Sequence, residues 1–257
     1  MKVISNLFLI FNFFYFFSCG EMKNEEKLNV LFLSAGSGEP NSSHNGNINH
    51  HKLKPSFLRH NINIIYSSDL NSLNANTLPK YDVIIMYLSA ANEKAERISA
   101  LINYVENGGG LVALHNTSGA FGGDKDFVNL IGGEFDRHGS GIFKARIING
   151  KENHPALKGV AEFEVWDETY VHKNLNEDRI DLMVRDENGR SEPWVWVRSQ
   201  GKGRVFYSAY GHDGRVWENF DFQQLVTSAT IWASNKKVNT NPHIPDLTYI
   251  SDTDNLL

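Results

Sequence analysis

From Leu28 onward the chain alternates between short apolar runs and amphipathic stretches. Leu28-Asn29-Val30-Leu31-Phe32-Leu33 reads as a buried strand, and Ile62–Tyr66 and Asp82–Tyr87 as two more. Asp82–Tyr87 is apolar enough to be covered on both faces, as parallel strands are. Between Asn92 and Asn107 the residues Ala95, Ile98, Leu101, Ile102 and Val105 recur at helical spacing, with Asn92 placed to cap the start and Gly108 to end it. Gly110–His115 then returns as a strand and completes a β-α-β unit. The segment Ser34–Pro55, rich in Gly, Asn, Ser and His, reads as a long loop at the carboxyl end of the first strand.

The second half is less regular. A short helix is expected over Lys125–Ile131, and strands over Ile142–Ile148, Phe163–Trp166, Asp181–Val184, Trp194–Val197 and Arg204–Ala209. A last amphipathic helix spans Phe220–Ala233, followed by a polar tail, 235–257, that contains Pro242 and Pro245. No internal repeat or linker divides the pattern. It predicts a single α/β domain over residues 28–234, with the strands at Leu28, Asp82 and Leu111 adjacent in a mostly parallel central sheet. Ligands bind such sheets beyond the carboxyl ends of the strands.

The first residues follow a different pattern. Leu7–Phe17 is apolar except for Asn12 and holds 6 of the 16 Phe in the 257-residue chain. A membrane-spanning helix needs about 20 apolar residues, so this run reads as a signal peptide, residues 1–18. Its end, Phe16-Phe17-Ser18-Cys19-Gly20, resembles a bacterial lipobox, with Phe where Leu is usual. The only Cys in the chain stands where a lipid would be attached. Residues 19–27 would then be a polar tether, and the expected location is the bacterial cell envelope, periplasmic or outer-membrane, with the lipid as the sole membrane contact. A single Cys also excludes an intramolecular disulfide and any zinc site built on two or more thiolates. With 25 Lys+Arg against 30 Asp+Glu the net charge is −5, which argues against nucleic acid as a partner.

Several blocks, in order, carry a family resemblance. Gly108-Gly109-Gly110-Leu111-Val112-Ala113-Leu114-His115 is followed by Leu130-Ile131-Gly132-Gly133-Glu134-Phe135-Asp136-Arg137-His138 and His154-Pro155-Ala156-Leu157-Lys158-Gly159. Trp166-Asp167-Glu168-Thr169-Tyr170, Pro193-Trp194-Val195-Trp196, Gly201-Lys202-Gly203-Arg204-Val205-Phe206-Tyr207 and Gly211-His212 complete the series. Together they resemble the ThuA-like (trehalose utilisation) family. The resemblance implies a flavodoxin-like sandwich of the class I glutamine amidotransferase type. It also implies a role with trehalose, related glucosides or the keto-sugars made from them by partner oxidoreductases. Amidotransferases of this fold carry a cysteine on the turn after a sheet strand. Here that strand end reads Leu114-His115-Asn116 and the only Cys is at position 19, so thiolate glutaminase chemistry is excluded.

His115, Glu168 and His212 each stand at or just after a predicted strand and can meet at one edge of the sheet. Histidine titrates near neutrality and a carboxyl can be tuned by burial, so the three could move protons on a sugar. On a 3-keto-glycoside, Glu168 or His115 would take the proton beside the ketone and His212 would protonate the departing oxygen. Asp167 and Glu168 face opposite sides of a strand. Glu168 is assigned to the pocket, with Tyr170 on its side. His138, expected in a turn before a strand, is placed at the pocket wall. His51, beside His50 in the Ser34–Pro55 segment, resembles a His-bearing family segment and joins the substrate-binding candidates.

Three features read as structural. Gly108-Gly109-Gly110 lacks the spacing of a dinucleotide loop and stops a helix, so no nicotinamide cofactor is expected. Gly201–Arg204 is a turn into a strand, and Trp194 and Trp196 share a core-facing side. A divalent metal stays open, because no spacing fixes two ligands on one element. The alternative to an enzyme is a non-catalytic module that binds a glycan or partner protein. An enzyme should gather His115, Glu168 and His212 within one ligand's reach, whereas a binding module should disperse them.

Overall fold

The computed structural model describes residues 27–35, 44–89 and 94–238. Strand β1 (Leu28–Leu33) is apolar on both faces and lies inside the parallel region, one strand from its edge. After it comes helix α1 (Gly46–Arg59), where the sequence led us to expect only loop. Its buried face carries Asn49, His50 and Ser56 alongside Leu53 and Phe57, and this mixture hides the helical period. Asn45 caps the start by accepting from the Ile48 N–H.

β2 (Ile62–Ser67) and β3 (Val83–Met86) flank β1, and α2 (Ala95–Glu106) leads into β4 (Gly110–Leu114). α2 closes at Asn107, and Gly108 takes φ +110°, the left-handed conformation that ends a helix. The expected cap at Asn92 lies outside the described residues. Beyond β4 two short 3-10 turns within 115–123, separated by a kink at Ala120, Phe121 and Gly122, lead to α3 (Lys125–Ile131).

β5 (Glu134–Lys144) and β7 (Glu164–Lys173) form a separate antiparallel ribbon, with β6 (Arg146–Ile147) between them in sequence. β8 (Ile180–Glu187), β9 (Arg190–Gln200) and β10 (Gly203–Ser208) follow, then α4 (Gly214–Glu218) and α5 (Phe220–Ala233). The main sheet runs β2-β1-β3-β4-β10-β9-β8-β6. The first five strands are mutually parallel and the last three pair antiparallel. The parallel part has the doubly wound flavodoxin-like order. The strands at Leu28, Asp82 and Leu111 are adjacent and parallel, as expected.

Two boundaries differ from the sequence reading in ways that matter for the site. The run Ile142–Ile148 splits at the buried Ala145 into the end of β5 and the short β6. β5 itself begins eight residues earlier, so His138 lies within a strand instead of in a turn. A register shift between Phe135 and Arg137, and the open Asp136–Gly141 stretch, removed the apolar alternation that marks a strand. β7 likewise extends from Glu164 to Lys173, which places Glu168 mid-strand and not after one. Trp194 and Trp196 are fully buried, and the Trp196 indole N–H donates to the Ile131 carbonyl at 2.7 Å.

Candidate active site

His115 is the first residue after β4, with no exposed surface and φ +48°, a left-handed backbone that a non-glycine residue adopts at a cost. A buried polar chain holds it there. Its carbonyl accepts from the Tyr207 hydroxyl at 2.9 Å, and Tyr207 also meets Ser118 Oγ at 2.8 Å and His172 Nε2 at 3.1 Å. His172 Nδ1 in turn faces Glu192 Oε1 at 3.1 Å. On the side chain, His115 Nδ1 lies 2.8 Å from the Ala209 carbonyl, which can only accept. The Nδ1 proton is therefore fixed, and Nε2 is turned to the pocket.

The ribbon supplies the carboxylate. Glu168 places Oε2 3.3 Å from His115 Nε2 and Oε1 3.1 Å from His212 Nδ1, with His138 Nδ1 at 3.6 Å. Burial works against its ionisation, but the His115 hydrogen bond and the surrounding imidazoles prevail and hold the Glu168 carboxyl below the usual range. Tyr170, two residues on and on the same side, lies with its hydroxyl 3.1 Å from His115 Nε2 and its ring against the imidazole. Burial pushes its phenol well up, so it stays protonated. His138 stands at the mouth with its side chain 43% exposed.

Asp167 points the other way and is fully buried. It accepts from the backbone N–H groups of Gly211, His212 and Asp213 at 2.9, 3.0 and 3.1 Å, fixing the turn that carries His212 after β10. Burial raises its carboxyl despite the nearby His115 and backbone hydrogen bonds that include those from Gly211 and Asp213. Gly211 has φ +134°, and a Cβ there would come within 3.3 Å of the His115 Cβ, so this turn requires glycine. The Tyr87 hydroxyl at the end of β3 donates to the Gly211 carbonyl at 2.7 Å. The turn is thus held from the ribbon on one side and the sheet on the other.

A fourth imidazole completes the group. His44, between β1 and α1, places Nε2 3.1 Å from His212 Nδ1 and its ring 5.3 Å from that of His115. Burial, followed by its two histidine neighbours, lowers its pKa from 6.5 to about 4. Burial also lowers that of His212, against the pull of Glu168. One ligating atom each from His44, His115, Glu168 and His212 lies within 4.8 Å of the others.

The structure therefore gathers His115, Glu168 and His212, with Tyr170 and His138 around them. It does not bring His51 to this group: His51 lies on the exposed face of α1, its ring 4.0 Å from that of His50. His44 was missed because it sits in a polar stretch with no periodic signal. The positioning role of Asp167 follows from the same alternation that turned it away from the pocket.

The ThuA sequence profile, described as trehalose utilisation, matches residues 29–233. The chain belongs to the ThuA family. Its fold is shared with a ThuA-like protein from Bacteroides uniformis, at 21% identity and TM-score 0.68 over 82% of this chain and 92% of that one. A ThuA-like protein from Parabacteroides merdae is similar at 19% identity and TM-score 0.67, over 84% and 93%. A cold-adapted β-galactosidase from Rahnella sp. R3 shares the fold over 81% of this ThuA chain and 31% of its own, at 15% identity and TM-score 0.57. No curated protein sequence matches.

Proposed function

We propose that this ThuA protein transforms a small sugar or glycoside, best a 3-keto-glycoside of the trehalose type, by acid–base chemistry at the His115–Glu168–His212 group. What carries the reading is one carboxyl, Glu168, set 3.1–3.6 Å from ring nitrogens of His212, His115 and His138 in a single pocket. In an amidotransferase the turn after this strand bears a thiolate. Here it bears the imidazole of His115, whose Nε2 faces Glu168 and the Tyr170 hydroxyl. The gathering of these groups favours catalysis over a binding module, which would have no use for a pre-formed carboxylate and imidazole pair.

The ketone acidifies the C–H bond on the neighbouring carbon. Glu168 takes that proton, the bond to the glycosidic oxygen breaks, and His138 gives a proton to the departing oxygen. His212 is the acid the sequence suggests; the Nδ1 of each ring is engaged, that of His212 by Glu168 and His44 and that of His138 by the Gly139 carbonyl, and His138 is the more exposed of the two and so the nearer to a departing group. In the second half Glu168 gives its proton back to that carbon, and the proton of the attacking water restores His138. Addition of water across the new double bond completes a net hydrolysis. The keto-sugar would come from a partner sugar oxidoreductase.

The lipid anchor at Cys19 and the envelope location belong to the same proposal, although residues 1–26 lie outside those described. No helix among the described residues is long and apolar enough to cross a membrane. Cys19→Ala should release the protein from the membrane fraction, and unchanged association would remove the anchor from the account. For the chemistry, Glu168→Gln keeps shape and hydrogen bonding but loses the titratable group. Turnover of 3-keto-trehalose should fall about 10²–10⁴-fold with folding intact. Absence of turnover by the wild-type protein on every glycoside and keto-glycoside tried would reject the reading.

A further inference from the structure

Four potential ligand atoms, one each from His44, His115, Glu168 and His212, crowd within 4.8 Å of one another. With Nδ1 against the Ala209 carbonyl, His115 turns Nε2 toward both the Tyr170 hydroxyl at 3.1 Å and the Glu168 carboxylate at 3.3 Å. The single Tyr170 hydrogen serves His115 Nε2 alone, and a positive charge would bring that nitrogen and the Glu168 oxygen onto a common partner. A few ångströms on, His44 Nε2 and His212 Nδ1 face each other at 3.1 Å, and Glu168 Oε1 lies 3.1 Å from the same His212 nitrogen. One proton serves one such pair. A cation at the centre serves all of them.

The geometry points to a divalent-cation site of the zinc class, held by His44 Nε2, His115 Nε2 and His212 Nδ1, with Glu168 supplying the neutralising charge. Donors about 2.0–2.1 Å from a tetrahedral cation stand roughly 3.3 Å apart, which matches the 3.1–3.3 Å of the His44–His212, His212–Glu168 and His115–Glu168 contacts, and the whole set lies within 4.8 Å. Glu168 directs its two oxygens to different imidazoles, one to His212 and one to His115, and so straddles the fourth position. Catalytic sites keep that position for water or substrate. Imidazole nitrogen with a neighbouring carboxylate suits zinc, and no thiolate is required. Each ligand comes from a different element: the segment before α1, the end of β4 and the turn after β10. Sequence spacing therefore could not reveal the site.

The surroundings hold the rings as a metal site needs. Ala209 orients His115, the grip of Asp167 on the 211–213 backbone places His212, and Tyr170 closes the side of His115. This inference rests on reading the group as the reacting site. It adds that a bound cation draws electron density from the keto oxygen of the substrate, so that Glu168 has a weaker C–H bond to break.

The test uses the full-length protein, stripped with a chelator, dialysed and titrated with Zn²⁺ alone, with bound metal measured by elemental analysis and calorimetry. One ion per chain is expected, and Co²⁺ in its place should give the intense visible absorption of a tetrahedral site. His44→Ala and His212→Ala should each abolish binding while keeping the wild-type circular dichroism, which covers the case in which His115→Ala fails to fold. Glu168→Gln should keep one ion per chain with affinity about 10–100-fold weaker. Wild-type protein that takes up no zinc, or uptake that survives both histidine substitutions, overturns the site. Loss of the ion in Glu168→Gln with retention in His44→Ala overturns the ligand assignment. Zinc bound without turnover of any keto-glycoside rejects the proposed function and leaves the site standing. Turnover with no zinc bound does the reverse.

Discussion

The parallel sheet and the β5–β7 ribbon contribute to one pocket under opposite constraints. In β1, β3, β4 and β10 most side chains are covered on both faces, and the strand ends fix the backbone of His115 and the turn before His212. The ribbon is half in solvent: Ile142 is 70% exposed and Trp166, its cross-strand neighbour, is 38% exposed. Yet the ribbon delivers Glu168, Tyr170 and His138. It is fastened at a few polar points, among them Asp167 on the 211–213 backbone and the Arg185 guanidinium on the Tyr170 carbonyl. The sheet thus supplies rigidity through burial, whereas the ribbon supplies chemistry through specific bonds.

Breaking the sheet should cost most. Phe206→Ala empties a fully buried position in β10 and should destabilise the fold by about 3–5 kcal/mol in urea unfolding. Asp167→Ala comes next. It strips three backbone donors of their acceptor, with an expected loss of about 2–4 kcal/mol, and it should lower turnover through a misplaced His212. If turnover survives that loss unchanged, the turn does not position His212.

Acid should show the buried imidazoles in the chelator-stripped protein. His44, His172 and His212 have folded pKa values pushed below 6.5 by burial, so as pH falls the unfolded chain takes up protons before the folded one. Stability is therefore full above pH 6.5 and declines below it, which thermal melts at pH 7.5 and 5.5 would read as a lower Tm at the acid end. An unchanged or higher Tm would contradict the neutral imidazoles. The smallest effect belongs to the outer ribbon, where Ile142→Ser should stay within about 0.5 kcal/mol.

The same contrast governs what the sequence could reveal. Val83–Met86 and Gly110–Leu114 were legible because parallel strands buried on both faces need unbroken apolar runs. α2 and α5 were legible from their stripes and the short Lys125–Ile131 helix from its pattern. α1 was not, because it buries Asn49, His50 and Ser56 within an Asn- and His-rich stretch. β5 was not, because a half-solvated ribbon with a register shift has no alternation to read. At the site, His115, Glu168 and His212 stood out through family blocks and predicted strand ends. His44 is brought to them only by the path of the chain between β1 and α1, and no local pattern records that.

The central claim is that Glu168 removes the proton from the carbon beside a sugar ketone. Turning over 3-keto-trehalose in D₂O, and locating deuterium in the recovered substrate and sugar product by NMR and mass spectrometry, tests it most directly. The account predicts deuterium at that carbon with the wild-type protein, and its loss together with turnover in Glu168→Gln. Cleavage that leaves that carbon without deuterium, or deuterium entering equally well with Glu168→Gln, would contradict it.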